Sequence, residues 1–376
     1  VIALATTRGN AWIAGKSLAV ASPLVLACAM VGMGLLYQEA RQTEYFASSS
    51  IIGVGLVWSL ALGYHQVWVA PYDQLRELEL IGRTFAGSQP TLIVEYSPYG
   101  SRHFLRDMAT EGAGELRRRT VTMVDGGTLD KGEYGDIDQF TLEAVQTYET
   151  LVLRRSPIGS RPPGNYSLQA ADSNFEVWQK DKSLPVPVAH IGLGGLDDAG
   201  GVMSCEQIKQ LSQRATNGAR LVAAVAPELV TVPLAGDSLP SGWVASGLGV
   251  VPAGSGTLER TFTVSSQGDY QVWVQGWSRG RTTLLVDGQP VGSMRHVLNH
   301  TQSSTQIGVV SLAAGSHTVR IEYSAAWWMP GVGGYSDALG PVSVTPAPGE
   351  HTLIQVEAAD FNTLCAKRLD WIEVAH

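Results

Sequence analysis

The stretch SSSIIGVGLVWSLALGYHQVWVAP, residues 48–71, carries no Asp, Glu, Lys or Arg. As a helix it is long enough to cross a hydrocarbon core of ~30 Å. Trp68 and Tyr72 at its end are amphipathic aromatics suited to a membrane–water boundary. A second uncharged run, residues 18–37, precedes it, and only residues 38–47 lie between the two. The pattern predicts a membrane hairpin within residues 1–72, with helices at about 18–37 and 49–70 and a tight polar turn. The competing reading is a buried hairpin of a soluble protein, but uncharged apolar runs of this length are uncommon in soluble cores. Everything beyond the hairpin then lies on one side of a bilayer.

Composition narrows the partners. Net charge is −8 with no basic block, which argues against nucleic acid, whose phosphates require clustered Lys and Arg. The chain opens at Val1 with no basic n-region and cleavage site, so it is expected to be the later part of a longer protein. Of three cysteines, Cys28 falls within the first apolar run and reads as a small apolar residue. Cys205 and Cys365 lie 160 positions apart without metal-ligand spacing. They would pair in an oxidising compartment or remain two separate buried thiols. Arg8 and Lys16 before the first run, Arg41 between the runs, and Arg76 and Arg83 after the second give a small bias toward a cytoplasmic location for the bulk of the chain. The cysteine pair and the lectin-like texture of the later chain point the other way. The expectation is therefore a multi-pass protein of the cell membrane, extracytoplasmic after about residue 72.

Residues 73–182 read as a small α/β domain. An amphipathic helix at 73–86 is followed by apolar strands at 91–96, 120–125 and 150–155, alternating with helical stretches at 101–108 and 138–148, then a hairpin of 166–170 with 175–179. Residues 183–201, rich in Pro, Gly and small residues, mark a boundary, with Gly192–Gly195 as a flexible connector. The rest of 183–227 holds a helix at 204–215 capped by Ser204 and a strand at 220–226. Residues 228–346 change texture to short alternating strands at 258–264, 268–275, 282–286, 304–312, 316–323 and 340–346, separated by turn signals such as Asp287-Gly288. That is the signature of an all-β sandwich, jelly-roll-like. Residues 347–376 return to the α/β layer, where Cys365 would meet Cys205. The fold class is thus membrane-anchored α+β: two transmembrane helices, a small α/β domain and a β-sandwich.

Signatures of catalysis are missing from the sequence. It contains no HExxH, CxxC or GxSxG, and no glycine-rich turn of the kind that cradles pyrophosphate. No catalytic residue, metal ligand or cofactor is expected. Asp136 and Asp138 read first as helix-capping residues and second as a Ca²⁺ or acid/base pair. Arg154, Arg155 and Arg161 flank a proline-fixed loop directly after a strand, at the edge where open α/β sheets place sites. Their planar forks suit a phosphate or acidic glycan; the plainer reading is salt bridges to Glu143, Glu149 or Asp172. In the sandwich, Trp273 reads as core. Trp277, Trp327, Trp328 and Tyr335 occupy glycine-rich turns beside Arg279, Arg281 and Asp337. They read either as stacking faces and polar contacts for sugar or as staples of long loops.

The strings RHFLRDM (102–108), DIDQF (136–140), TLVLRRSPIGSRPPGNYSL (150–168), FEVWQK (175–180) and LCAKRLDWIEV (364–374), with WIAGKSLAVASPLV (12–25) in the hairpin, resemble the late part of large actinobacterial multi-pass membrane proteins. Those look like GT-C type glycosyltransferases, which use polyprenyl-phosphate sugars at the outer membrane face. The resemblance implies a lipid bilayer and cell-envelope polysaccharide or lipid-linked sugar as partners, a carbohydrate-binding-module-like sandwich, and a catalytic centre outside this chain. The expected function is the extracytoplasmic portion of an envelope glycosyltransferase that binds glycan acceptor. The alternative is a non-catalytic, membrane-anchored carbohydrate-binding or scaffold protein.

Overall fold

The computed structural model describes residues 11–64, 72–96, 98–115, 117–195, 198–216, 218–278, 280–295, 303–325, 338–347 and 353–376. The chain divides into two compact units, Val1–Val69 with Ala325–Asp337, and Ala70–Ser324 with Ala338–His376.

The first unit holds α1 (Ala11–Gln38) and α2 (Gln42–Tyr64). Within them, Ala19–Gln38 and Gln42–Ala61 are long and apolar enough to cross a membrane, and neither stretch is buried by protein. Val20, Leu24, Val54 and Trp58 are all exposed, an apolar surface larger than soluble proteins commonly leave uncovered. The rings of Tyr37 and Tyr45 lie 5.5 Å apart, and Ser49 Oγ donates to Met33 Sδ at 3.3 Å. The turn is shorter than expected from residues 38–47. Helix α2 already begins at Gln42, where Glu44 in its first turn suits the helix dipole and pairs with Arg41 at 2.8 Å. The final residues of the expected second span, 65–70, lie outside the described residues.

The second unit begins with α3 (Tyr72–Thr84). Its Leu78 and Ile81 pack with Ile93, Val152, Phe175 and Val177. Buried Glu77 accepts the backbone N–H groups of Asn174 and Phe175 at 3.0 and 2.6 Å, which fixes the helix to the sheet beneath it. That sheet contains β1 (Thr91–Ile93), β2 (Thr110–Gly112), β3 (Thr150–Arg154), β4 (Tyr166–Ala171) and β5 (Phe175–Lys180) in the order β2-β1-β3-β5-β4. Strand β1 runs parallel to β2 and β3, whereas β5 is antiparallel to β3 and β4. Two helices connect the strands, α4 (Pro98–Phe104) and α5 (Leu142–Gln146).

Two expectations are corrected here. Residues 120–125 form no strand. Val121 is fully buried in the core beside Leu151, but its neighbour Met123 makes only an isolated bridge to Phe140, and the chain turns at once through Asp125, whose Oδ1 accepts Gly127 N–H at 2.8 Å. The alternation there reflects packing without pairing. The helix expected at 138–148 is split, because Asp136 caps a short 3₁₀ turn (Ile137–Gln139) and Thr141 separately caps α5.

The expected boundary at 183–201 also differs. It contributes β6 (Ala189–Gly192) and β7 (Gly201–Val202), which are followed by α6 (Cys205–Ser212) and β8 (Arg220–Val225). Ser204 caps α6 through a capping box, as its position before the helix predicts.

The sandwich comprises β9 (Val230–Val232), β10 (Val244–Ser246), β11 (Gly249–Val251), β12 (Gly256–Val264), β13 (Gly268–Trp277), β14 (Arg281–Val286), β15 (Gln289–Met294), β16 (Ser304–Leu312), β17 (Gly315–Ser324) and β18 (Ala338–Pro346). One sheet runs β10-β11-β18-β13-β16, with β9 added on β18, and the other runs β12-β17-β14-β15. Alternate residues such as Leu258, Phe262, Val272, Val274, Leu284, Val319, Ile321, Val342 and Val344 are buried, the pattern of paired sheets with one inward face each.

The chain closes with β19 (Leu353–Glu357) and β20 (Arg368–Ala375), which flank β8 in a sheet ordered β19-β8-β20-β6, with β7 paired to β20. The terminal segment therefore pairs with β6, β7 and β8, in a sheet separate from that of β1–β5. Cys205 and Cys365 are bridged, with Cα atoms 5.2 Å apart.

Candidate functional site

The loop after β3, Arg155-Ser-Pro-Ile-Gly-Ser-Arg-Pro-Pro-Gly-Asn165, has few backbone partners of its own, and prolines remove three donors. Three buried carboxylates pin it instead. Asp136 Oδ2 accepts Ser160 N–H at 3.0 Å, Asp370 Oδ2 accepts Arg161 N–H at 3.2 Å, and Glu373 Oε1 accepts Gly164 N–H at 3.0 Å. Carboxylates taken out of water need such charge-assisted donors. Asp370 and Glu373 come from β20, 209 positions beyond the residues they hold.

His190 on β6 completes the cluster. Its Nδ1 lies 2.8 Å from Glu373 Oε1 and its Nε2 3.4 Å from Asp138 Oδ1. Burial pulls the imidazole pKa down, but hydrogen bonds and charge from Asp138 and Glu373 outweigh it and hold the group up at about 9. Burial, reinforced by the Asp138 charge, pushes Asp136 up to about 6 and Asp370 up to about 8. Gly192 is required here rather than flexible, since a Cβ at that position would overlap the Asp138 side chain. Asp136 thus caps, as its position predicts, whereas Asp138 is a partner of His190.

The pinned loop presents its arginines to a cavity of about 320 Å³ shared by β3, β5, the end of β8, sandwich strand β13 and β20. Arg154, Arg155 and Arg161 all line it, with Glu176, Trp178, Gln271, Trp273 and Asp370. The structure therefore brings the three arginines together. Their carboxylate neighbours are not the expected Glu143, Glu149 or Asp172: Arg154 lies 3.8 Å from Glu95, Arg155 3.8 Å from Glu176 and Arg161 3.7 Å from Asp370. Asp172 contributes only its backbone carbonyl, to Arg155 Nη1 at 3.0 Å. At 3.7–3.8 Å the ion pairs attract without full hydrogen bonds. Burial raises the pKa of both Glu95 and Glu176 and lowers that of Arg161.

Trp273 is buried between Val272 and Val274, which are buried too, and it forms part of the cavity wall, with the Arg155 guanidinium 5.4 Å from its ring centroid. Among the described residues, Arg161 Nη1, Asp370 Oδ1 and Trp273 Nε1 are buried without a hydrogen-bond partner. Such atoms are uncommon in native structures. Sequence reading missed Trp178, Glu176, Gln271 and Asp370; no local pattern separates them from ordinary strand residues.

Most of the expected sugar-stacking cluster cannot be placed. Arg279, Trp327, Trp328, Tyr335 and Asp337 lie outside the described residues. Trp277 ends β13 half-buried, and Arg281 begins β14 exposed. The register with β18 shifts between Val274 and Gly276 just before Trp277, and Gly276 has a φ of 97° that suits glycine and a missing side chain that makes room for Ala338 O.

No family model matches the sequence, and no curated protein matches it. Among solved structures, the chain is similar to a GH26-CBM35 β-(1,4)-mannanase of Podospora anserina, with 18% identity over 35% of this chain and 28% of that one, TM-score 0.22. It is also similar to a family 35 carbohydrate-binding module of Clostridium thermocellum, with 18% identity over 34% of this chain and 98% of that one, TM-score 0.21. A third is the CBM36-1 domain of a xylanase from the hindgut metagenome of Trinervitermes trinervoides, with 15% identity over 32% of this chain and 99% of that one, TM-score 0.22. Likenesses this faint, over about a third of the chain, identify no ligand for it.

Proposed function

We propose that this chain is the glycan-binding portion of a membrane glycosyltransferase of cell-envelope assembly, with its second unit extracytoplasmic and the arginine cavity holding an acidic group of acceptor polysaccharide or lipid-linked sugar. The observation that carries the binding role is the convergence of Arg154, Arg155 and Arg161 with two indoles on one cavity of about 320 Å³, a size that suits a small sugar unit. The transferase role is carried by the resemblance of the sequence strings alone. The aromatics of the glycine-rich turns, Trp277, Trp327, Trp328 and Tyr335, supply a further stacking face in this reading, with Arg279, Arg281 and Asp337 beside them.

Binding of an acidic and a neutral polysaccharide to the full chain in detergent micelles tests the proposal. Retention of the acidic polymer is expected, and Arg155→Ala should weaken it roughly 10- to 100-fold, the value of a charge-assisted contact. Trp277→Ala and Trp328→Ala should each weaken it by about fivefold, one ring stacked on one sugar. No preference for the acidic polymer and no effect of Arg155→Ala would dismiss the cavity as a glycan site.

Orientation is tested separately. A single cysteine at Ser241 should react in intact cells with an impermeant maleimide, and one at Ser48 should not. The reverse pattern rules out an extracytoplasmic second unit.

A further inference from the structure

Two carboxylates of the arginine cavity, Glu176 and Asp370, oppose an incoming anion. Asp370 forms part of the wall and is 1% exposed. Its Oδ2 accepts Arg161 N–H at 3.2 Å and lies 3.7 Å from Arg161 Nε, while its Oδ1 has no partner. The charged groups that act on it are Arg161 on the pinned loop and Asp136 and Asp138 at the capped 3₁₀ turn, and Glu176 on β5, which lines the same cavity, acts on Arg161. An ionised Asp370 both repels an anion and competes with it for the Arg161 guanidinium.

We propose that binding of an anion in this cavity is coupled to the uptake of one proton by Asp370. The ligand class is an oxyanion that does not itself titrate near neutrality, either the carboxylate of an acidic sugar or the phosphodiester of a lipid-linked one. The inference rests on the cavity being an anion site, as argued above. The proton passes from solvent to the Asp370 carboxylate; the only bond made is O–H. Before binding, burial and Asp138 hold this carboxyl up at about 8 against the pull of Arg161. A bound anion adds negative charge and draws Arg161 away, and both effects favour the protonated form further. Affinity is then greatest where Asp370 is already neutral, and it falls by up to about tenfold per pH unit above that point.

Titration calorimetry on the full chain in micelles, with glucuronate and separately with a sugar phosphodiester, tests the coupling. Two buffers of different ionisation enthalpy report protons taken up at about pH 6 and about pH 9. Uptake approaching one proton is expected at the higher pH and almost none at the lower, and the probe that binds identifies the source of the oxyanion. Asp370→Asn should abolish the uptake. The wild-type measurement stands alone if that variant does not fold, with Glu176→Gln showing that the other cavity carboxylate is not the acceptor. Binding that is independent of pH and takes up no proton overturns the coupling and leaves the anion site intact. Uptake that persists in Asp370→Asn, or disappears in Glu176→Gln, overturns it too. No binding of either probe at the lower pH overturns the anion site and the coupling together.

Discussion

Replacing Cys365 with serine is expected to destabilise the second unit by about 5 kcal/mol, the chain-entropy value for a bridge closing a loop of this length. The bridge joins Cys205 at the start of α6 to Cys365 just after the 3₁₀ segment Ala358–Leu364, 160 positions away. Between those cysteines lies the whole sandwich, so the unfolded chain without the bond gains the freedom of a very long loop. The folded side is well prepared for the bond: Ile208 and Leu211 of α6 share a core with Leu364, Leu369 and Ile372, and Cys365 packs against it. The figure is an upper bound, since residual structure in the unfolded chain reduces it. Denaturant unfolding followed by tryptophan fluorescence, with and without Cys365→Ser, measures it. Cys28, free and exposed on α1, serves as the control, and Cys28→Ser should leave the midpoint unchanged. A shift below about 1 kcal/mol, in protein shown by mass mapping to carry the bridge, would falsify the loop argument.

What could be read from the sequence followed how local its signal is. Six of the ten sandwich strands are legible because each shows alternation between turn signals: β12, β13, β14, β16, β17 and β18 begin and end within about two residues of the sequence reading, whereas the three-residue strands β9, β10 and β11 are too short to show it. Strand β15 was missed although Asp287-Gly288 announces its hairpin, because Gln289–Met294 is short of apolar residues. The cysteine pairing was legible as one of two choices. The pinning of the arginine loop was not legible. Asp370 and Glu373 sit in RLDWIEVA, where Arg368 and Ala375 are half-buried and the six residues between them are buried, so the usual rule that charge marks the solvent face fails. Their partners are backbone N–H groups more than 200 positions away, and no window of sequence contains both. The 183–201 segment misled for a related reason. Glycine serves flexible linkers and close packing alike, and Gly192 is of the second kind, set against Asp138.

The same buried cluster should make the second unit less stable as pH rises from about 6.5 to about 9. His190 is the leading contributor. Its folded pKa of about 9 exceeds the ordinary value of 6.5, so the stability it confers is fully present below about pH 6.5 and is lost as pH climbs through 9. Asp370, raised from 3.8 to about 8, and Asp136, raised from 3.8 to about 6, act in the same direction: each keeps a proton in the folded protein that the unfolded chain has released. The three effects therefore add in sign, with Asp136 expressed at lower pH. The His190 shift alone corresponds to roughly 3 kcal/mol, or a fall in melting temperature on the order of 5–10 °C for a unit of this size. Glu373→Gln tests the cause while keeping an acceptor for Gly164 N–H. With one carboxylate gone, the His190 pKa drops and the loss of stability moves to lower pH. His190→Gln goes further, leaving Asp138 and Glu373 without their cation at a cost of about 3–5 kcal/mol near neutrality, and it flattens the remaining slope between pH 6.5 and 9. Thermal melts of the three proteins in a constant-ionic-strength buffer series decide the matter. A wild-type melting temperature that is flat or rising across that interval, or a Glu373→Gln profile that overlays it, would show that His190 is not held as an imidazolium by these two carboxylates.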